Sequence, residues 1–123
     1  MRRTMMKSKI HRATVTAASV DYVGSITIDA ALMEAAGIAT YEQVHVLDID
    51  NGARLVTYAI PGADGEVCVN GAAARLVEVG DRIIIISYAE YEEAELASHQ
   101  PRTVFVNEEN RIAESEGRLN PCP

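Results

Sequence analysis

Tryptophan is absent from this 123-residue chain, phenylalanine occurs once, and five tyrosines complete its aromatic content. Val, Ile, Leu and Ala must therefore fill the core, and clusters of β-branched residues favour strands. Cysteine is nearly as scarce. Cys68 and Cys122 lie far apart and in no C-x-x-C pair, which argues against a disulfide framework or a thiolate metal site. Cys68, between Val67 and Val69, reads as a buried thiol, and Cys122, between two prolines, as a loose tail residue. His11, His45 and His99 show neither H-x-x-x-H nor H-E-x-x-H spacing, so no metal is expected. No apolar run approaches the length of a signal-peptide core or a membrane span. The expectation is a soluble, cytoplasmic protein with no membrane partner.

Basic charge is the other shortage. Arg2, Arg3, Lys7, Lys9 and Arg12 crowd the first twelve positions, and the remaining six Lys and Arg face eighteen Asp and Glu, for a net charge of −7. Such a surface repels phosphate backbones, so nucleic acid is not an expected partner. An Arg-rich, acid-poor start is also the composition of an organelle transit peptide. Against that, Lys9 to Thr16 reads as a strand that runs into the folded body without a linker.

The length suits one domain, residues 1–123. Residues 9–17 alternate with period two, Lys9, His11, Ala13 and Val15 against Ile10, Arg12, Thr14 and Thr16, as in a strand with two different faces. Ser25 to Ile28 is a second short β-prone run after Gly24. Asp29 suits the N-cap of a helix over Ala30 to Ala36, and Gly37 its stop. Val44 to Ile49 and Leu55 to Ile60 flank Asp50-Asn51-Gly52, a hairpin signal. Pro61 to Gly65 reads as a loop, Val67 to Val69 as a brief strand, and Ala72 to Ala74 as a helical turn. Ile83 to Ile86 is unbroken and apolar, which implies burial on both faces and a central strand. Glu90 to Ser98 reads as a solvated helix, Thr103 to Val106 as a last strand, and everything after Asn107 as a mobile tail. The segments Ala35 to Ile49 and Ala73 to Ser87 hint at a duplicated unit. About six short strands and two small helices suggest a compact, closed barrel.

A Gly-Ser pair occurs by chance roughly once in 200 positions, and alone Gly24 is a turn residue and Ser25 a strand-entry hydroxyl. Their company is more specific. Gly24-Ser25 after a Lys9/His11 strand, Arg54-x-x-Thr57-Tyr58 on a hairpin, and Asn70-Gly71-Ala72-Ala73-Ala74 together resemble the pyruvoyl-dependent aspartate 1-decarboxylases of bacterial pantothenate synthesis. The match runs in order from Arg3 to about Ile86, fading in the Pro61 to Glu66 loop and beyond Tyr88.

The resemblance implies a double-psi six-stranded β-barrel with short helices, assembled as a homotetramer with active sites between subunits. It implies self-cleavage between Gly24 and Ser25 into residues 1–24 and 25–123, with no accessory maturation protein indicated. Ser25 would become a covalent pyruvoyl group that forms a Schiff base with L-aspartate, so neither pyridoxal phosphate nor a metal is needed. Ser25 Oγ must attack the preceding carbonyl, which calls for a strained peptide and, at position 24, for glycine's freedom. Tyr58 would donate the proton to the carbon losing CO₂, Thr57 would contact the Gly24 carbonyl and later the substrate, and His11, Tyr22 and Asn70 would support processing. Lys9 and Arg54 would hold the substrate carboxylates, and Gly71, Ala72 and Ala73 would line the substrate. Regular alternation sends Thr57 and Tyr58 to opposite faces, so their shared site requires a bulge, different partners or a neighbouring subunit. A non-enzymatic barrel module or a pyruvoyl decarboxylase of another amino acid are the rival readings.

Overall fold

The computed structural model describes residues 1–113. It is mainly β: β1 (Arg2–Thr14), β2 (Ala17–Ser19), β3 (Ser25–Asp29), β4 (Gln43–Asp48), β5 (Arg54–Gly62), β6 (Val67–Asn70), β7 (Arg82–Glu92) and β8 (Arg102–Phe105). One helix, α1 (Ala30–Ala36), and two 3₁₀ segments, Gly71–Leu76 and Glu93–Ser98, complete it. The strands form one eight-stranded sheet in the order β2-β6-β3-β5-β4-β7-β1-β8. β2 stands first in that order and β1 seventh, yet only Val15 and Thr16 separate them, so the chain itself joins the two ends and the sheet curls as in a barrel. The Thr16 N–H donates to Val67 O at 2.8 Å, extending the β2–β6 ladder towards β1. Ile10, Ile26, Ile28, Val44, Ile83 and Ile85 are fully buried inside the curl.

Local signals account for several elements. The Asp29 carboxylate accepts the Ala31 N–H at 2.8 Å, and Gly37 closes α1 in the left-handed region at φ 68°. In the β4–β5 connection Asp48 Oδ1 accepts the N–H groups of Asp50 and Asn51, and Gly52 turns the chain at φ 77°. β7 lies between β4 and β1, with Ile83, Ile85 and Ile86 buried and Ile84 partly so. Each half of the suspected repeat supplies a helical turn and then a strand, and those strands, β4 and β7, pair antiparallel.

Five expectations are corrected. Among the described residues there are eight strands rather than about six short ones, and β1 and β7 are long, at 13 and 11 residues. The alternation of β1 breaks at Arg12, which takes φ 69° where the β1–β7 register shifts. This bulge absorbs one residue, so Ala13 and Val15 turn inward with Ile10, while Lys9 and His11 keep the outer face. The segment Glu90–Glu92 is strand rather than helix, because Arg2–Thr4 pairs with it and Arg2 lies 3.3 Å from Glu92. Only Glu93–Ser98 coils, behind a reciprocal Glu92/Glu95 capping box. Pro61 and Gly62 belong to β5, paired with Ile28 and Asp29 of β3. Proline is tolerated there because the β4 pairing ends at Tyr58, leaving no ladder partner for an N–H.

The stretch 107–113 is an ordered turn rather than a tail. Asn110, 1% exposed, donates to Thr14 O and Gly65 O and accepts the Thr14 N–H. The remainder of the predicted tail, with Cys122, lies outside the described residues.

Candidate active site

Ser25 opens β3 and is 2% exposed. β6 runs antiparallel beside it with Asn70 opposite Ser25 and Cys68 opposite Thr27, so these four side chains share the outer face while Ile26 and Val69 point into the core. The Asn70 amide donates to Ser25 Oγ at 3.0 Å and to Thr27 Oγ1 at 3.1 Å, and Cys68 Sγ donates to Asn70 Oδ1 at 3.2 Å. Asn70 occupies the N-cap position of the 3₁₀ segment Gly71–Leu76 but makes no side-chain cap bond there, its amide being committed to Ser25 and Thr27. The Ser25 hydroxyl itself turns back along the chain to Val23 O at 3.4 Å.

Gly71 closes the site from the other side. A Cβ on it would stand 2.6 Å from Gly24 Cα and 2.8 Å from Gly24 N, and its φ of 74° is left-handed. Gly24 is not in the left-handed region, and a Cβ there would meet nothing within 4 Å. The conformational demand for glycine therefore falls on residue 71 and not on residue 24. Ala72, exposed, and Ala73, partly buried, follow in the same turn. Tyr22 is 68% exposed, and with Ser19, Thr27, Cys68 and Asn70 it borders a cleft of ≈ 340 Å³.

β5 lies parallel to β3 on its second edge, with Ala59 opposite Ile26. Carried back two residues, this register brings Tyr58 level with Ser25 and Thr57 level with Gly24. The β4–β5 pairing is continuous from Leu47–Arg54 to Gln43–Tyr58, so no bulge brings the two side chains together. Thr57 shares a face with buried Leu55 and Ala59, whereas Tyr58 shares the outer face with Arg54, Val56 and, across the strands, Ser25. The Tyr58 ring lies beside that of Tyr41, their centroids 6.2 Å apart.

The remaining candidates lie elsewhere in the protomer. Arg54 is exposed, its Nη1 3.4 Å from His45 Nδ1, and it has no acidic partner among the described residues. Lys9 belongs to the outer-face row Lys9, Ile86, His45, Val56, three strand spacings from β5, or ~14 Å along the sheet. His11 packs edge-on against Phe105 with ring centroids 5.7 Å apart, and its Nδ1 is buried without a partner. Burial, then the charges of Lys9 and Arg12, hold its pKa below the usual histidine range. The fold thus gathers Tyr22, Gly24, Ser25, Asn70 and Gly71, with Ala72 and Ala73 following in the same turn, sets Thr57 and Tyr58 on the strand that pairs with β3, and within one protomer leaves Lys9, His11 and Arg54 apart from them.

Thr27 and Cys68 are new members of the site. Their signal in the sequence is the two-residue strand spacing from Ser25 and from Asn70, which places them on the same face once both segments are strands.

Fold and site together define a small, barrel-like β protein built around a buried serine at a strand start, with a glycine before it and an asparagine amide upon it. The chain belongs to the aspartate decarboxylase family, which it matches over residues 1–113. It is 59% identical over 113 residues to the aspartate 1-decarboxylase of Clostridium beijerinckii, covering 90% of this chain and 91% of that protein. Similar relatives are the aspartate 1-decarboxylases of Moorella thermoacetica, 58% identical over 114 residues with 91% and 89% covered, and of Carboxydothermus hydrogenoformans, 59% identical over 111 residues with 89% and 87% covered.

Proposed function

We propose that the chain cuts itself between Gly24 and Ser25, converts Ser25 into a pyruvoyl group, and decarboxylates L-aspartate to β-alanine and CO₂, as a cytoplasmic step of pantothenate and coenzyme A biosynthesis. The observation that carries this reading is the buried Ser25 hydroxyl, held under the Asn70 amide at 3.0 Å against a glycine pair, Gly24 and Gly71, in near contact. A serine at this position of an aspartate decarboxylase fits the group, since it alone supplies the carbons of the ketone. The adjoining cleft of ≈ 340 Å³ gives a small amino acid room to approach.

The chemistry of processing follows from the neighbours. Ser25 Oγ attacks the Gly24 carbonyl, and the C–N bond breaks as an ester forms and the Ser25 nitrogen becomes an amine. The Asn70 N–H favours negative charge on Oγ, and Thr57, level with Gly24, is suited to donate to the tetrahedral oxyanion. Loss of the Ser25 Cα proton expels the Gly24 carboxylate and leaves a dehydroalanine. Water converts this to the ketone with release of ammonia. The pyruvoyl carbonyl, once formed, would supply the electron sink for CO₂ loss. Tyr58, level with Ser25 on the outer face, is placed to return a proton to the carbon that loses CO₂. Gly71, Ala72 and Ala73 present small side chains and backbone N–H groups to the substrate.

The outer-face positions of Lys9 and Arg54 favour an assembly in which a neighbouring subunit supplies these cations to the two carboxylates. Two cations there would offset the repulsion between a dianionic substrate and a chain of net charge −7. A homotetramer meets this requirement, with six of the eight strands of each protomer closing a double-psi barrel. Intact mass under denaturing conditions tests the processing: fragments 1–24 and 25–123 are expected, the longer one blocked at its amino end. A chain that stays whole after prolonged warming overturns the mechanism. Release of CO₂ from aspartate, but not from glutamate or neutral amino acids, tests the substrate.

A further inference from the structure

We propose that His45 is a positioning residue for substrate binding, its ring drawing the Arg54 guanidinium across the sheet towards Lys9 without neutralising its charge. The role rests on the reading above, in which Lys9 and Arg54 hold the two substrate carboxylates, and adds to it the group that sets one of these cations. Arg54 stands on β5 opposite Leu47 of β4, and His45 stands opposite Val56, so Arg54 and His45 are diagonal neighbours on the outer face. Arg54 Nη1 reaches His45 Nδ1 at 3.4 Å. His45 in turn shares a row with Ile86 of β7 and Lys9 of β1. The contact thus carries the guanidinium from a strand three spacings from Lys9 to one two spacings away, ~10 Å along the sheet. Two long side chains facing each other over Ile86 can close on one small dicarboxylate.

The ring is braced for this. Tyr88, on the far side of His45 from Arg54 along β4, packs edge-on against it with centroids 4.9 Å apart and planes at 67°. The chemistry of the partner also fits. An imidazole nitrogen that accepts a hydrogen bond belongs to an uncharged ring, so it orients the guanidinium and leaves the positive charge for the substrate. A carboxylate in its place would pair with Arg54 and compete with the substrate for it. Among the described residues Arg54 has no acidic partner and no other side-chain hydrogen bond.

Steady-state CO₂ release from L-aspartate by the self-cleaved enzyme tests the proposal, with intact mass reporting the cleavage of each variant. His45→Phe keeps a ring against Tyr88 but has no acceptor, and is expected to raise KM about tenfold with kcat within about twofold, the effect of one lost charged hydrogen bond in substrate binding. Inhibition by succinate, which has both carboxylates and no amine, should weaken by the same factor. His45→Leu, smaller and equally without an acceptor, should match the phenylalanine variant and carries the test if that variant fails to assemble. His45→Asn, whose Oδ1 replaces Nδ1, is expected to stay within about threefold of wild type in both readouts. Unchanged KM and succinate inhibition in the variants without an acceptor, a fall in kcat alone, or equal losses in His45→Asn and His45→Phe overturn the positioning role while leaving Arg54 as a carboxylate ligand. Full activity in Arg54→Ala overturns both.

Discussion

Gly24 and Gly71 nearly touch, yet they differ in what they tolerate. An alanine methyl at 71 would enter the Gly24 backbone at 2.6 Å and hold a left-handed φ of 74°. Gly71→Ala is therefore expected to cost about 2–3 kcal/mol, near 10 °C in a thermal melt of a domain this size. Gly24→Ala meets open space and should leave the melting midpoint within about 3 °C of wild type. Comparable losses for the two would contradict this assignment of strain. At Tyr58 the prediction concerns chemistry alone: Tyr58→Phe should cleave normally, because Thr57 and not Tyr58 stands level with Gly24, but should lose on the order of 10²-fold in CO₂ release. Unimpaired turnover would remove Tyr58 as the proton donor. The grouping of Gly24, Ser25 and Asn70 was legible through the family resemblance. The demand on Gly71 was not, because it is a contact between segments far apart in the chain.

Among the elements, the β4–β5 turn and the start of β7 are joined by a pair of carboxyl groups. Asp48, 3% exposed, has an Oδ2 buried without a hydrogen-bond partner, and its carboxylate clusters with those of Asp50 and Asp81, their oxygens within 4.8 Å of one another. Burial first, then Asp81, raises the Asp48 pKa from 3.8 to about 6, while the same contact lowers that of Asp81, so below about pH 6 the proton of the pair resides on Asp48. The folded chain thus holds this proton more tightly than the unfolded one. The stability Asp48 contributes is complete below about pH 3.8 and is lost as pH rises through about 6. Asp48→Asn should flatten that loss, gaining roughly 1 kcal/mol relative to wild type between pH 5 and pH 8 in urea melts. Parallel pH profiles for the two proteins would show that the pair does not share a proton. Elements with caps or turn chemistry of their own, α1 and the β4–β5 hairpin, were readable from local sequence. The strand at Glu90–Glu92 was not, because its Glu-rich sequence suits a helix and only pairing with Arg2–Thr4 overrides that preference.

For the whole molecule, the separation of Lys9 and Arg54 from Ser25 within one protomer leads to a complementation test. Ser25→Ala chains keep the cations but lack the reacting residue; Lys9→Ala and Arg54→Ala chains keep the residue but lack a cation. Each alone should be inactive. Co-expressed Ser25→Ala and Arg54→Ala chains should recover a measurable fraction of CO₂ release, because some sites join an intact Ser25 to a neighbour's intact Arg54. Inactive mixed assemblies, verified by mass, would place each site within a single subunit.

The sequence by itself determined the strand-rich character of the chain, the caps of α1, the turn after Asp48, the burial of the Ile83 to Ile86 run and, through its ordered motifs, the family. These depend on residues a few positions apart, where periodicity and turn chemistry act directly. Only the tertiary structure decided that β3 lies between a parallel β5 and an antiparallel β6. That arrangement levels Thr57 with Gly24 and brings Asn70 onto Ser25 from 45 residues away. It also decided that Arg12 re-phases β1 and that residues 107–113 fold back onto Thr14 and Gly65. Strand pairing and register are cooperative properties of the whole sheet, set by which faces bury together, and no local pattern specifies which distant strand becomes the neighbour.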